Sequence, residues 1–348
     1  MLARWNGIRV DAFKIGFGPK LFAWKRGETE YGLNLIPFGG FVKIHGENPD
    51  EDSINGPDKE RSFVHKNRWR QASVLVAGVL FNFLFACLLY IIVFNIGVTA
   101  TKDGFEKYAK YFTNDRIMIT DVGADSPAKK AGIMVGDVID NIRVMSVTKP
   151  VDQLVTVQYI QNTIASSSGN NIQLFITRGG KHQSVDVTPM SGLNVAGKYA
   201  IGIAMQDVSD LKLPFFTSIY EGCHYTVVMI EGTAVGLYTF VTNIFRGTAN
   251  FSDVTGPIGI AGIVGNAASL GITYLLMITA LISINLGVIN LIPFPALDGG
   301  RTLFVAIEGI TRRRIPVKFF NIVNIVGFSL LMLLMVVVTF KDIMRLIK

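Results

Sequence analysis

Charge is what this sequence has least of. Asp, Glu, Lys and Arg make up 17% of its 348 residues, half are hydrophobic, and the mean hydropathy is +0.41. That composition places the chain among membrane proteins. Cysteine is nearly absent: Cys87 and Cys223 are too few for a disulfide framework. Cys87 lies in an apolar run and reads as a small hydrophobe, and the pair leaves the redox compartment open. The four histidines are His45, His65, His182 and His224, and none has another four residues on. The paired histidines of a His-Glu-x-x-His metal helix are therefore not in this sequence. No cleavable signal peptide is expected, because Arg4, Arg9 and Asp11 interrupt any apolar core at the start. The net charge of +7 does not imply a nucleic-acid partner, since the basic residues flank apolar runs as topology signals do.

What is present divides cleanly. Residues 1–71 are polar by comparison, and Phe13–Pro19 and Tyr31–Lys43 read as short strands joined by Gly/Pro turns. Ala72–Val98 carries no charge and is long enough to cross a ~30 Å hydrocarbon core. Its Gly78 and Asn82 suit close helix packing. Residues 102–212 form a balanced, strand-rich, water-soluble region. Residues 268–297 and 319–340 are two further apolar spans. Lys59–Arg70 and the loop 299–318 are rich in Lys and Arg, which marks the cytoplasmic side. Three spans then leave 102–212 outside the cell. On that parity Leu213–Gly247, with Glu221, His224 and Glu231 in its first part, reads as an interfacial amphipathic helix.

The chain is organised around Asn290-Leu-Ile-Pro293-Phe-Pro295-Ala-Leu297-Asp298-Gly299-Gly300. From Val254 to Leu297 no residue is charged, so Asp298 is the first charge at the end of a long apolar segment. A carboxylate at that depth calls for a cation or metal. The prolines and glycines break the helix there and free backbone groups to face a cavity. Asp-Gly-Gly is also good turn chemistry, and that simpler reading stands beside the first.

The full motif resembles the site-2 protease family, the intramembrane zinc metalloproteases. Other stretches resemble it in the same order. They are the Ala3-Arg4 pair, the β-loop around Gly39, Gly40 and Phe41, Gly78-x-x-x-Asn82, and Gly256-Pro257-Ile-Gly-Ile-Ala261. Ser126–Ile139 resembles a bacterial-type PDZ domain covering about 115–190. The resemblance implies a polytopic α-helical protein of the bacterial cytoplasmic membrane, with three spans here and four in the family fold. It also implies a membrane-associated β-loop region over 1–71 and one extracytoplasmic PDZ domain.

Asp298 becomes the third ligand of a Zn2+ ion. The other two ligands and the base belong to a His-Glu-x-x-His helix expected just ahead of Met1, so no catalytic residue is assigned within the chain. Asn290, Pro293, Pro295 and Gly39–Phe41 are expected to hold an unwound substrate strand. The loop of Gly132, Ile133 and Gly136 is expected to offer N–H groups to peptide or protein termini. The implied activity is regulated intramembrane proteolysis of single-span membrane proteins, such as anti-sigma factors or remnant signal peptides. The alternative is a PDZ-bearing adaptor that binds such substrates without cleaving them. A solute transporter fits poorly, since three spans and no internal repeat do not make one.

Overall fold

The computed structural model describes residues 2–47, 51–145, 155–192, 198–249, 254–313 and 315–347. They divide into two compact units. Met1–Tyr90, Cys223–Asn266 and Met277–Lys348 make the first; Ile91–Gly222 and Ala267–Leu276 make the second. The described strands are β1 (Val10–Arg26), β2 (Thr29–Ile44), β3 (Val98–Ala100), β4 (Phe112–Val122), β5 (Val138–Val144), β6 (Ile172–Arg178), β7 (Lys181–Val187) and β8 (Ile203–Leu211). The short helices are α1 (Leu2–Trp5), α2 (Glu51–Asn55), α4 (Pro127–Lys130) and α5 (Val157–Ser166), with α3 (Arg68–Ile96) the first long one. The rest are α6 (Phe215–Arg246), α7 (Pro257–Leu270), α8 (Ile272–Leu291), α9 (Asp298–Thr311) and α10 (Val317–Ile347).

In the first unit β1 and β2 fold back on each other more than once. Lys14 pairs with Phe41 on one side and with Gly32 on the other, while residues 20–26 pair with 29–34. Residues 40–44 are thus an outer run resting on 10–15. Gly40 is required for that closeness, because a Cβ there would sit 2.9 Å from the Lys14 carbonyl oxygen. The base of the hairpin joins a small core of Ala3, Ile8, Val10, Phe63 and Leu75, against which Val305 of α9 packs.

The apolar helices of this unit are held by small residues and single polar contacts, as expected where lipid provides no hydrophobic drive. Ser283 Oγ donates to the Asn82 carbonyl at 2.9 Å, so Asn82 contributes its backbone. Gly287 faces the Phe83 ring. These contacts, with Gly78 opposite Asp298, set α3 and α8 antiparallel. On α10, Asn324 and Gly327 meet Ala296 and Pro295, whereas Asp342 reaches the start of α7.

α3, α6, α8 and Val317–Met344 of α10 are each long and apolar enough to cross a membrane. α6 is the one beyond the three spans read from sequence. It stays one continuous helix through Gly232 and Gly236. The apolar segment expected from residue 268 is cut at Gly271, whose φ of 117° only glycine adopts readily. α7 therefore ends there and α8 starts afresh.

The second unit is built on a six-stranded sheet of order β3-β8-β4-β5-β6-β7, every pairing antiparallel. Its core gathers Ile119, Ile160, Ile172, Leu174 and Ile176, none of them measurably exposed. Ser126 and Thr156 cap α4 and α5 by accepting from the N–H groups of Lys129 and Tyr159. The sheet reaches beyond the expected 115–190, since β3 and β8 close one side.

Asp210 on β8 accepts two hydrogen bonds from Arg116, at 2.7 and 2.8 Å, with Thr99 and Asn114 donating as well. The Arg116 guanidinium, aided by Asn114 and Thr99, brings the Asp210 carboxyl down to about 2. The folded value lies below the ~3.9 of a free Asp. The pair therefore stabilises the fold fully above about pH 4, and loses that contribution as pH falls toward 2. Thermal unfolding of the whole protein between pH 5 and 2.5 should show the unfolding temperature falling more steeply for the native chain than for Asp210→Asn. Equal slopes would remove Asp210 from the acid response.

Candidate metal and substrate site

α8 ends because Pro293 and Pro295 have no N–H to continue it. The chain turns through Phe294 N–H to Ile292 O at 2.7 Å and Leu297 N–H to Phe294 O at 3.2 Å. Ala296 takes the left-handed conformation, φ 73°, unusual for a residue with a Cβ. Its N–H is answered by Asn324 Oδ1 of α10 at 3.1 Å. α9 then starts directly on the end of α8. A Cβ on Gly299 would lie 2.3 Å from the Ile292 carbonyl oxygen, and one on Gly300 would lie 2.2 Å from that of Phe294. Both glycines are buried, and no other residue permits that contact.

This packing puts Asp298 in the first turn of α9, where the helix dipole favours an anion. Burial nevertheless pushes its carboxyl above the ordinary Asp range, with the Arg301 charge opposing. Arg301 is itself engaged with Glu47. Among the described residues no side chain hydrogen-bonds the Asp298 carboxylate. Its neighbour across the bundle is Gly78, where a Cβ would stand 3.6 Å from Oδ2.

Zinc in a hydrolase needs three protein ligands and one open position. Among the described residues no group of three His, Cys, Asp or Glu side chains gathers anywhere. His45 lies near Asp11, His65 meets the Ile54 carbonyl, and His182 of the second unit contacts Asp140. Asp298 suits a metal as one half-buried, unpaired carboxylate, but the described residues do not make up a zinc site.

Asn290 is half-buried at the end of α8, Pro293 is exposed, and Pro295 packs on Gly327. Gly40 stands in the outer run of β2; the surroundings of Gly39 and Phe41 lie outside the described residues. Asn285, on the same helix as Asn290, accepts from Thr233 Oγ1 of α6 at 3.1 Å and so ties two helices together.

The loop of Gly132, Ile133 and Gly136 is not the peptide-binding loop expected from sequence. Ile133 is 1% exposed, inside the core. The N–H groups of Gly132, Ile133 and Gly136 are already given to Lys129, Ala128 and Ile119. Asp137 accepts from Met134 N–H and from Arg178, which also donates to the Gly132 carbonyl. The loop is a pinned turn in which those three N–H groups are already engaged. The second unit instead opens a cavity of about 430 Å³ between Gln158, Gln161 and Asn162 of α5 and the run Lys198–Ile203. The sequence signal for it was Tyr199-Ala-Ile-Gly202-Ile, where Gly202 takes φ 78°.

The clearance at Gly78 yields a prediction. At 3.6 Å an added methyl makes ordinary contact, so Gly78→Ala should leave the junction and its stability close to native. Gly78→Leu should drive a branched side chain into the carboxylate and destabilise the fold. Membrane levels and the unfolding temperature of each variant check both.

The sequence matches Peptidase family M50 over residues 1–334. A Clostridium perfringens protein with a provisional zinc metalloprotease name is 37% identical over 99% of this chain and 92% of its own. Zinc metalloprotease RasP of Geobacillus kaustophilus is 29% identical, covering 99% and 93%. Among solved structures, the PDZ domain of an SdrC-like protein from Listeria monocytogenes is 22% identical, covers 27% of this chain and 90% of that one, and gives a TM-score of 0.22. With a family match running almost from end to end, around a carboxylate presented on a broken helix, this chain belongs to peptidase family M50.

Proposed function

We propose that the chain belongs to an intramembrane zinc protease that cuts single-span membrane proteins, with Asp298 as one metal ligand. The observation that carries this reading is the half-buried, unpaired Asp298 carboxylate on a helix end built by Pro293, Pro295, Gly299 and Gly300. A complete centre needs two further ligands and a general base from outside this sequence. Within the chain, the outer run 40–44 offers a strand edge to an unwound substrate, since a cleavable backbone must be extended. Asn290 stands at the end of α8 as a polar contact for that strand. The sheet unit acts as a PDZ filter, and we assign peptide capture to the cavity between α5 and Lys198–Ile203.

The membrane is crossed by α3, α8 and α10, with Asp298 toward the cytoplasm beside the basic segments and the sheet unit outside. We keep α6 out of the span count on sequence parity. With 102–212 outside and Asp298 toward the cytoplasm, a further crossing by Leu213–Gly247 would put Asp298 on the wrong side. α6, with Glu221, His224 and Glu231 in its first part, therefore lies along the interface.

The incomplete donor set favours one alternative, a non-catalytic PDZ adaptor. Two measurements separate them. The N-terminal sequence and intact mass of the native protein should reveal a preceding His-Glu-x-x-His helix if it is a protease, and none if it is an adaptor. Asp298→Asn should make trimmed single-span substrates accumulate in membranes at native protein levels. A silent Asp298→Asn would leave only the adaptor.

A further inference from the structure

The chain has two cysteines, 136 positions apart, and the fold brings them together: Cys87 Sγ on α3 lies 3.1 Å from Cys223 Sγ on α6. We propose that they are a reversible disulfide site that staples α6 to α3, its co-reactant being a disulfide oxidant. The approach is imposed by the packing around it. At Gly222 the helices are so close that a Cβ would lie 2.8 Å from Ile91 N, and on the other side Tyr90 and Tyr225 meet edge to face at 4.9 Å. Glycine at that position lets the backbones approach, and the aromatic pair fixes the rotation. The sulfurs stand about 1 Å beyond bonding distance, a gap that small side-chain rotations close.

The two thiols differ in access. Cys223 is exposed and Cys87 half-buried, so Cys223 is the attacking group and Cys87 the resolving one. The Cys223 thiolate attacks one sulfur of the oxidant, forming a mixed disulfide and expelling one oxidant thiolate. The Cys87 thiolate then attacks Cys223 Sγ and expels the second. Both cysteine protons end on the two departing thiolates, so two cysteines are oxidised while one disulfide is reduced to two thiols. Cys87 lies 15 residues beyond Ala72, about 22 Å into a ~30 Å core, in the half remote from the basic cluster. Oxidants with lipid solubility are the ones that reach it.

The test uses the full chain in its own membranes, with dithiodipyridine as the lipophilic disulfide. Native protein should release two thiopyridones per chain, retain no pyridyl adduct, lose the mass of two hydrogens and migrate faster on a non-reducing gel. Dithiothreitol should reverse each change. Tryptic digestion should give one peptide pair joined through Cys87 and Cys223. In Cys223→Ser or Cys87→Ser the remaining thiol should instead keep a pyridyl adduct with no change in mobility. Native protein that keeps adducts on both cysteines, or forms only intermolecular cross-links, would overturn the proposal. Unfolding of the oxidised form at no higher temperature than the reduced form would overturn the staple even if the bond forms.

Discussion

A helix that stops beside a bilayer must find partners for its last carbonyls, and the first unit is arranged around one such stop. Four residues with special backbones, Pro293, Pro295, Gly299 and Gly300, let α9 begin directly on the end of α8. Asn324 answers the amide of Ala296, whose left-handed conformation lets the chain reverse. The position of Asp298, its partial burial and its clearance from Gly78 all follow from that junction. A charged group held in low dielectric without a partner is unfavourable, so the surrounding packing maintains it.

The site was legible where its chemistry is local. Proline, glycine and aspartate in one short stretch announce both the break and the carboxylate, and the uncharged run before them sets the depth. The long helices were legible for the same reason, since hydropathy needs no knowledge of neighbours. Other features required three dimensions. Gly132 and Gly136 look the same in a binding loop and in a pinned turn, because both need positive φ. Only the hydrogen bonds around Asp137 and Arg178 tell them apart. The cavity beside α5 joins two segments far apart in sequence, and the contact between Cys87 and Cys223 depends on the tight crossing at Gly222. Gly271 reads as an ordinary residue of an apolar helix until its φ is known.

The second unit is stabilised differently. Its core is a conventional layer of isoleucine and leucine between one sheet and two capped helices. Its charged residues are paired across strands, as Arg116 with Asp210 and Arg178 with Asp137. The apolar helices of the first unit depend on small residues and isolated polar contacts instead. The contrast matches the two solvents: water rewards apolar burial, and lipid rewards close backbone approach and satisfied polar groups.

Asp342 gives α10 a mechanical meaning. One end of this helix holds the two amides at the start of α7, and the other, 15 to 18 residues earlier, holds Pro295 and Ala296 through Gly327 and Asn324. Those grips stand about 25 Å apart on a single rigid rod. α10 thus braces the turn before Asp298 and the start of α7 on one rod, with no part of α8 in that connection.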